Sequence, residues 1–222
     1  MSFCDELRYY ARDIWDNWHS HPFITGIGDG SLDREKYIYW IKQDYVYLRD
    51  YARVFALAGA KARELADMQD FAKLVDGVLN TEMALHRNYC SQFGLDVSEL
   101  DTPEKSPTCQ GYTDFLVRTG AMETVGVTIA ALLPCFWGFY EIGTRLRTVG
   151  DTSENNPYRA WIEMYSSAEF AKLVKWSKKL TEKYAQNAGA KEKKAMKEAF
   201  LISSKYESMF WEMAQVLEEW KY

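Results

Sequence analysis

The stretch YIYWIKQDYVYLRDY, residues 37–51, decides the fold class of this 222-residue chain. Its apolar side chains recur every three or four residues, which is the period of an α-helix with one face in a core. The members of this stripe are Tyr37, Trp40, Ile41, Tyr47, Leu48 and Tyr51. Ser31 is the expected N-cap, and the helix is predicted to run to about Lys61. Asp44 completes the stripe, so the predicted core face of this helix carries a carboxyl group.

The helical period continues through the rest of the chain, and we find no alternation typical of strands. Residues 21–30 are interpreted as a glycine-rich loop. Further helices are predicted over residues 5–19, 64–93, 108–119, 124–147, 157–165, 168–187 and 191–220. No internal repeat or interdomain linker is recognisable, so residues 1–222 are predicted to form one all-α domain, a single helical bundle.

Composition narrows the possible partners. The net charge is −5 and the pI is near 5.4, and a protein that binds phosphate backbones needs a basic face instead. Residues 1–6 are acidic, and no apolar run approaches the roughly 18 residues of a membrane span, so we expect a cytoplasmic protein that binds neither nucleic acid nor membrane. The cysteines, Cys4, Cys90, Cys109 and Cys135, have no paired spacing, which argues against a zinc site and a disulfide framework.

A thiol and two carboxyl groups are the candidates for chemistry. Cys135 follows Pro134 inside an aromatic run, and a proline in a helix interior is expected to present the thiol at a deformed turn. Asp44 and Glu207 each interrupt an apolar helical stripe, and a buried carboxylate needs a partner. A buried cysteine is also a common small core residue, and protein groups could supply both carboxyl partners. Taken together, the three side chains favour a pocket for a flat, nitrogen-containing ring.

Metal and cofactor sites have little support in the sequence. Glu82 and His86 are four residues apart, whereas a di-iron bundle needs two Glu-x-x-His motifs, so we interpret this pair as a polar brace. His19 or His21 could bind heme, but no other residue supports such a site. Residues 26–30 share glycines with a dinucleotide fingerprint, yet they lie between predicted helices rather than after a strand. We therefore expect neither a metal nor a cofactor.

Four segments in combination are specific enough to suggest a family. They are HPF with GIGDG in residues 21–30, QDYVYL in 43–48, NTEM with HR in 80–87, and LPC with Trp137 and EIG in 133–143. Over nearly its whole length the chain resembles the TenA family, also called thiaminase II or aminopyrimidine aminohydrolase. The resemblance implies an all-helical fold of the heme oxygenase-like type, usually a homotetramer, without heme or metal.

The resemblance also implies an activity. The family cleaves at the methylene carbon on C5 of a 4-aminopyrimidine, in thiamin or in aminomethyl-pyrimidine, and returns hydroxymethyl-pyrimidine to thiamin synthesis. It implies that Cys135 adds to the ring as the nucleophile, that Glu207 exchanges a proton and that Asp44 holds the 4-amino group. The pocket rings implied in addition are Tyr47, Tyr112, Tyr165 and Phe139. Phe139 departs from the tyrosine that the family often has. A non-catalytic pyrimidine-binding or regulatory protein, and a heme oxygenase-like metal enzyme, remain the alternatives.

Overall fold

The computed structural model describes residues 1–84, Arg87, Leu100 and residues 103–221, with only the backbone of Thr81 and Glu82. Within these residues the chain forms ten α-helices, one π-helical turn and no strand, which confirms the predicted all-α class. The helices are α1 Phe3–Tyr10, α2 Arg12–Trp18, α3 Pro22–Asp29, α4 Arg34–Lys61, α5 Leu65–Asp76, α6 Pro107–Met122, α7 Val125–Val149, α8 Arg159–Tyr165, α9 Ala168–Asn187 and α10 Ala190–Val216. The π-helical turn, π1, is Gly77–Glu82 and continues α5 directly.

Four long helices surround the centre of the bundle. Helices α7 and α10 make the most extensive contact, and α4 packs against both α5 and α6. Helices α8 and α9 pack against α7. The buried apolar side chains form a core cluster to which α4, α6, α7 and α10 all contribute. The stripes of these four helices therefore face one another.

The loop predicted over residues 21–30 is wrong, because most of it forms α3. Gly26 and Gly28 lie inside this helix, where each permits a close approach of neighbouring groups. A Cβ atom on Gly26 would lie 2.9 Å from Cβ of Leu32, and one on Gly28 would lie 2.8 Å from Cδ2 of Leu146. Packing against the backbone of Leu32, and not a turn, therefore requires glycine at position 26, whereas at position 28 a Cβ atom would have to displace the end of the Leu146 side chain.

Several predicted helix ends also shift. Asp33, not Ser31, is the N-cap of α4, because its carboxylate accepts the backbone N–H of Glu35 at 2.8 Å. Helix α4 ends at Lys61 as predicted. The single helix predicted over residues 5–19 is divided at Ala11 into α1 and α2. Of the helix predicted over residues 64–93, the structure describes α5 and π1, and much of the remainder lies outside the described residues.

The prediction that no apolar run approaches the length of a membrane span is wrong for helix α7. An 18-residue window of this helix has a mean hydropathy of 1.5, which by length and composition suits a membrane span. The sequence had been expected to contain no such run. However, 78% of the window is buried inside the protein, as in the central helix of a packed bundle. The helix assignment continues through Pro134, so Pro134 and Cys135 both lie within α7.

The segment that follows α10 joins three of the central helices. The carboxylate of Glu218 accepts the backbone N–H of Thr108 at 2.9 Å and its hydroxyl at 3.0 Å, at the start of α6. The backbone carbonyl of Glu218 accepts the hydroxyl of Tyr39, which lies on α4. These bonds fix α4, α6 and α10 relative to one another.

Candidate active site

Five of the residues predicted to form a site, besides Phe139 of α7, lie on the four central helices. Asp44 and Tyr47 come from α4, Tyr112 from α6, Cys135 from α7 and Glu207 from α10. Four of them are at most 6% exposed, whereas Cys135 is half-buried. Two buried carboxyl groups are unusual in an apolar core. Burial of each one costs free energy unless a hydrogen bond or an opposite charge offsets it.

Glu207 is held by a tyrosine hydroxyl. The hydroxyl of Tyr112 donates to Oε1 of Glu207 at 2.6 Å, and Oη of Tyr112 also lies 2.7 Å from Oγ of Ser203. Burial raises the pKa of Glu207 to about 8, the bond from Tyr112 opposes this shift, and the charge of Asp44 adds to it. Glu207 is therefore protonated at neutral pH and can donate a proton.

Cys135 lies among tyrosine side chains. Burial is the main cause that raises the pKa of Tyr47, Tyr51 and Tyr112, and the next cause for Tyr47 and Tyr51 is the nearby charge of a Cys135 thiolate. The hydroxyl of Tyr51 donates to the carbonyl oxygen of Leu132 at 3.0 Å. The thiol and the Glu207–Tyr112 pair thus face the same group of phenol rings.

Phe139 and Tyr165 lie in a second group of rings that adjoins the first. The ring of Phe139 is 4.7 Å from that of Tyr165 and 4.8 Å from that of Trp211. Phe139 follows Cys135 by one helical turn, and Trp211 follows Glu207 by one turn. The two groups of aromatic side chains are therefore neighbours along both α7 and α10.

Three buried polar atoms at this place have no hydrogen-bond partner in the part of the chain that the structure describes. They are Oη of Tyr47, Nε1 of Trp161 and Nε1 of Trp211. Each of these side chains is at most 3% exposed. Buried polar atoms are nearly always hydrogen-bonded, so these three donors are suited to acceptor atoms of a bound molecule.

Tyr51 and Ser203 are two members of the site that the sequence analysis did not select. Tyr51 belongs to the quoted stripe of α4, and Ser203 precedes Glu207 by one turn of α10. Their positions on core stripes were recognised, but tyrosine and serine are common at such positions. The only available signal was spacing, since each lies one or two turns from Asp44 or Glu207 on the same helical face.

The two histidines that the structure describes, His19 and His21, lie beside carboxylates. Nε2 of His19 lies 3.4 Å from Glu141, and Nε2 of His21 lies 3.2 Å from Glu212. Among the described residues no group of three or more His, Cys, Asp or Glu side chains has an arrangement that could hold a metal ion. The predicted brace between Glu82 and His86 lies outside the described side chains.

Comparisons with known proteins agree with this architecture. A protein of Halalkalibacterium halodurans named aminopyrimidine aminohydrolase is 40% identical over 222 residues, which cover 100% of this chain and 99% of that protein. A solved TenA homologue from P. horikoshii OT3 has a TM-score of 0.90 and 27% identity, and the match covers 96% of this chain and 98% of that chain.

The fold type and the family follow from two further matches. A domain of unknown function with a heme oxygenase-like fold, from Shewanella denitrificans, has a TM-score of 0.74 at 12% identity and covers 96% of this chain and 92% of its own. It confirms the predicted fold type alone. The model of the TENA/THI-4/PQQC family matches residues 9–216, which confirms the resemblance found in the sequence. The chain belongs to the TENA/THI-4/PQQC family.

Proposed function

We propose that the protein is an aminopyrimidine aminohydrolase, or thiaminase II, that hydrolyses the bond between the C5 methylene of a 4-amino-2-methylpyrimidine and its leaving group. The observation that carries this proposal is the buried Glu207, whose carboxyl group accepts the hydroxyl of Tyr112 at 2.6 Å and whose pKa is raised to about 8 by burial and by the charge of Asp44. The relative that is 40% identical over the whole chain and named for this activity supports it.

The first step is the addition of Cys135 to the pyrimidine ring. Cys135 gives up its thiol proton, which goes to the departing amine or, for a thiazole, to solvent. The thiolate forms a bond to a ring carbon, and the electron pair displaced from the ring is taken up at a ring nitrogen. Glu207 gives its proton to that nitrogen, which a carboxyl group with a pKa of about 8 can do at neutral pH. Asp44 accepts a hydrogen bond from the 4-amino group and so orients the ring.

The second step breaks the bond to the leaving group. When Glu207 takes its proton back, the returning electron pair expels the leaving group from the methylene carbon. A thiazole leaves as a neutral molecule, because it was a cation while bonded, whereas an amine must also acquire a proton. Water then adds to the methylene carbon, and the electron pair of the exocyclic double bond returns through the ring and expels the thiolate. The proton that the water loses converts this thiolate to the thiol. The product is hydroxymethyl-pyrimidine, and the thiol is regenerated.

The aromatic side chains would enclose the pyrimidine. Tyr47, Tyr112, Tyr165 and Phe139 offer ring faces, and the unpartnered hydroxyl of Tyr47 can donate to an acceptor on the substrate. Phe139 keeps the stacking surface but lacks the hydroxyl that the family often has at this position. A homotetrameric, cytoplasmic enzyme that acts in thiamin salvage is part of the same proposal.

The test is turnover by the purified protein, without added metal, on thiamin and on aminomethyl-pyrimidine. We expect hydroxymethyl-pyrimidine from at least one of them, measured by liquid chromatography with mass detection. Cys135→Ala is the control, and it should be folded and inactive. A non-catalytic binding protein is the second candidate, since the same pocket would bind the ring. Saturable binding of hydroxymethyl-pyrimidine with no turnover of either substrate would favour that candidate.

A further inference from the structure

A chain of buried hydrogen bonds ends at Glu207. Oγ of Ser203 lies 2.7 Å from Oη of Tyr112, and the hydroxyl of Tyr112 donates to Oε1 of Glu207 at 2.6 Å. Ser203 and Glu207 are one turn apart on α10, whereas Tyr112 comes from α6. All three side chains are at most 3% exposed, so bulk water has little access to these bonds.

The direction of the bonds follows from the number of hydrogens. Tyr112 has one hydroxyl hydrogen, which it donates to Glu207. Its oxygen can then only accept from Ser203, so the serine hydroxyl is the donor of the 2.7 Å bond. The opposite order, from Glu207 through Tyr112 to Ser203, would hold the proton of the carboxyl group inside the protein, where no substrate can take it.

The neighbouring serine forms a different set of bonds. The hydroxyl of Ser204 donates to the carbonyl oxygen of Phe200 at 2.8 Å and accepts Nε1 of Trp15 at 2.9 Å. Serine hydroxyls within helices often bond in this way to the carbonyl four residues earlier. Within the described residues, the bond to Tyr112 is the only hydrogen bond of the Ser203 hydroxyl. Its hydrogen is therefore available to the tyrosine.

We propose that Ser203 is a positioning residue for proton transfer: by donating to Tyr112 it directs the tyrosine hydrogen to Oε1 of Glu207 and leaves the transferable proton on Oε2. This inference rests on the proposed function and deepens it. A protonated carboxyl group has one O–H and one oxygen that only accepts. Because Tyr112 occupies Oε1, Oε2 is the oxygen that remains for a ring nitrogen of the substrate.

Ser203 also strengthens the bond that it orients. A hydrogen bond accepted by Tyr112 polarises its O–H group and makes the tyrosine a better donor to Glu207. That donation favours the charged carboxylate and so opposes the rise in the pKa of Glu207 that burial causes. Without the serine hydroxyl, the pKa of Glu207 should rise further. The other titratable side chains around this carboxyl group keep their positions in such a variant, and they are Asp44, Tyr47 and Tyr51 of α4 and Cys135 of α7.

The first experiment compares the two adjacent serines. Ser203→Ala removes the proposed donor, and Ser204→Ala is the matched control, because it removes a buried hydroxyl that bonds Trp15 and Phe200 instead. We expect Ser203→Ala to lower kcat about tenfold with KM within about twofold of the parent. Ser204→Ala should change neither constant. Ser203→Cys, whose thiol is a weaker donor, should have an intermediate kcat, and it replaces the alanine variant if that one does not fold.

A double-mutant cycle tests whether the effect passes through the tyrosine. In a Tyr112→Phe background, Ser203→Ala should change kcat by less than about twofold, because the hydroxyl that it orients is already absent. An equal loss of kcat in both backgrounds would overturn the inference. So would a kcat of Ser203→Ala that matches that of the parent.

The pKa of Glu207 supplies a readout that needs no turnover. It can be measured by carbon NMR on protein labelled at the glutamate carboxyl carbons, with the signal assigned by its absence from Glu207→Gln. In Ser203→Ala this pKa should rise by about 0.3 or more, and in Ser204→Ala it should equal that of the parent. An unchanged or lower pKa in Ser203→Ala would overturn the inference even in an active enzyme. If the pKa rises as expected but the parent releases hydroxymethyl-pyrimidine from neither thiamin nor aminomethyl-pyrimidine, the proposed function fails and the orientation of Tyr112 by Ser203 stands.

Discussion

Replacing Glu207 by glutamine isolates the energetic consequence of burying this carboxyl group. Its pKa is about 8 in the folded protein, against an ordinary value of 4.5 that applies to the unfolded chain. Below pH 4.5 both states carry the proton, so the shift has no effect on stability. Between pH 4.5 and about pH 8 the unfolded chain binds fewer protons than the folded protein, so the free energy of unfolding must fall as the pH rises. Glutamine does not titrate, so the variant lacks this fall.

The size of the effect follows from the two pKa values. A difference of one pH unit corresponds to about 1.4 kcal/mol, so the shift of Glu207 amounts to about 5 kcal/mol at most. Between about pH 5 and about pH 8.5 the free energy of unfolding of Glu207→Gln should rise by about 4 kcal/mol relative to the parent. The oxygen of the amide still accepts the hydroxyl of Tyr112, so loss of that bond does not confuse the comparison.

The assay is urea unfolding of parent and variant at the two pH values, followed by intrinsic fluorescence. Glu198→Gln is the matched control, because it makes the same chemical change at an exposed position of α10. The control should follow the parent at both pH values. If the difference between Glu207→Gln and the parent changes by less than about 1 kcal/mol across this range, Glu207 is not a buried group that keeps its proton at neutral pH.

Three further predictions concern the chemistry. Cys135→Ala should fold and bind hydroxymethyl-pyrimidine while turnover falls by about a thousandfold or more, and activity within tenfold of the parent would contradict ring addition by the thiol. Asp44→Asn should mainly raise KM, since the amide can still accept one hydrogen bond, whereas Glu207→Gln should mainly lower kcat. Both constants are measured for both variants. If each variant changes KM alone, Glu207 takes no part in proton transfer. Incubation with a chelator should leave turnover unchanged, and an activity that is lost and then restored by a metal ion would overturn the proposed chemistry.

Helix caps and apolar periodicity in the sequence predicted those helices whose ends and buried faces are set by neighbouring residues. Helix α9 runs from Ala168 to Asn187 as predicted, because Ser167 caps it through the backbone N–H of Phe170 at 3.1 Å and its apolar period is regular. The predictions were wrong where contacts between distant segments determine the secondary structure. Gly26 looked like a turn residue, but the approach of Leu32 makes glycine necessary within a helix.

The same distinction applies to the candidate site. Glu207 was identified because a carboxyl group inside an apolar stripe is unusual and must have a compensating partner. Tyr51 and Ser203 were not selected, since such residues need no explanation on a core face. The position of Tyr51 near the charge of Cys135 and the bond between Ser203 and Tyr112 depend on how α4, α6, α7 and α10 are packed, and no single helix encodes that arrangement.

The cluster of indole rings beside Phe139 gives the molecule an optical property. Of its eight tryptophans, Trp40 has its ring centre 6.4 Å from those of both Trp161 and Trp211. Buried indoles emit at shorter wavelengths than solvated ones, and Trp220, which is 52% exposed, supplies the solvated contribution to the spectrum. A flat ring bound against this cluster would quench the short-wavelength emission selectively. Occupancy of the site can therefore be followed with light, without a label and independently of any turnover.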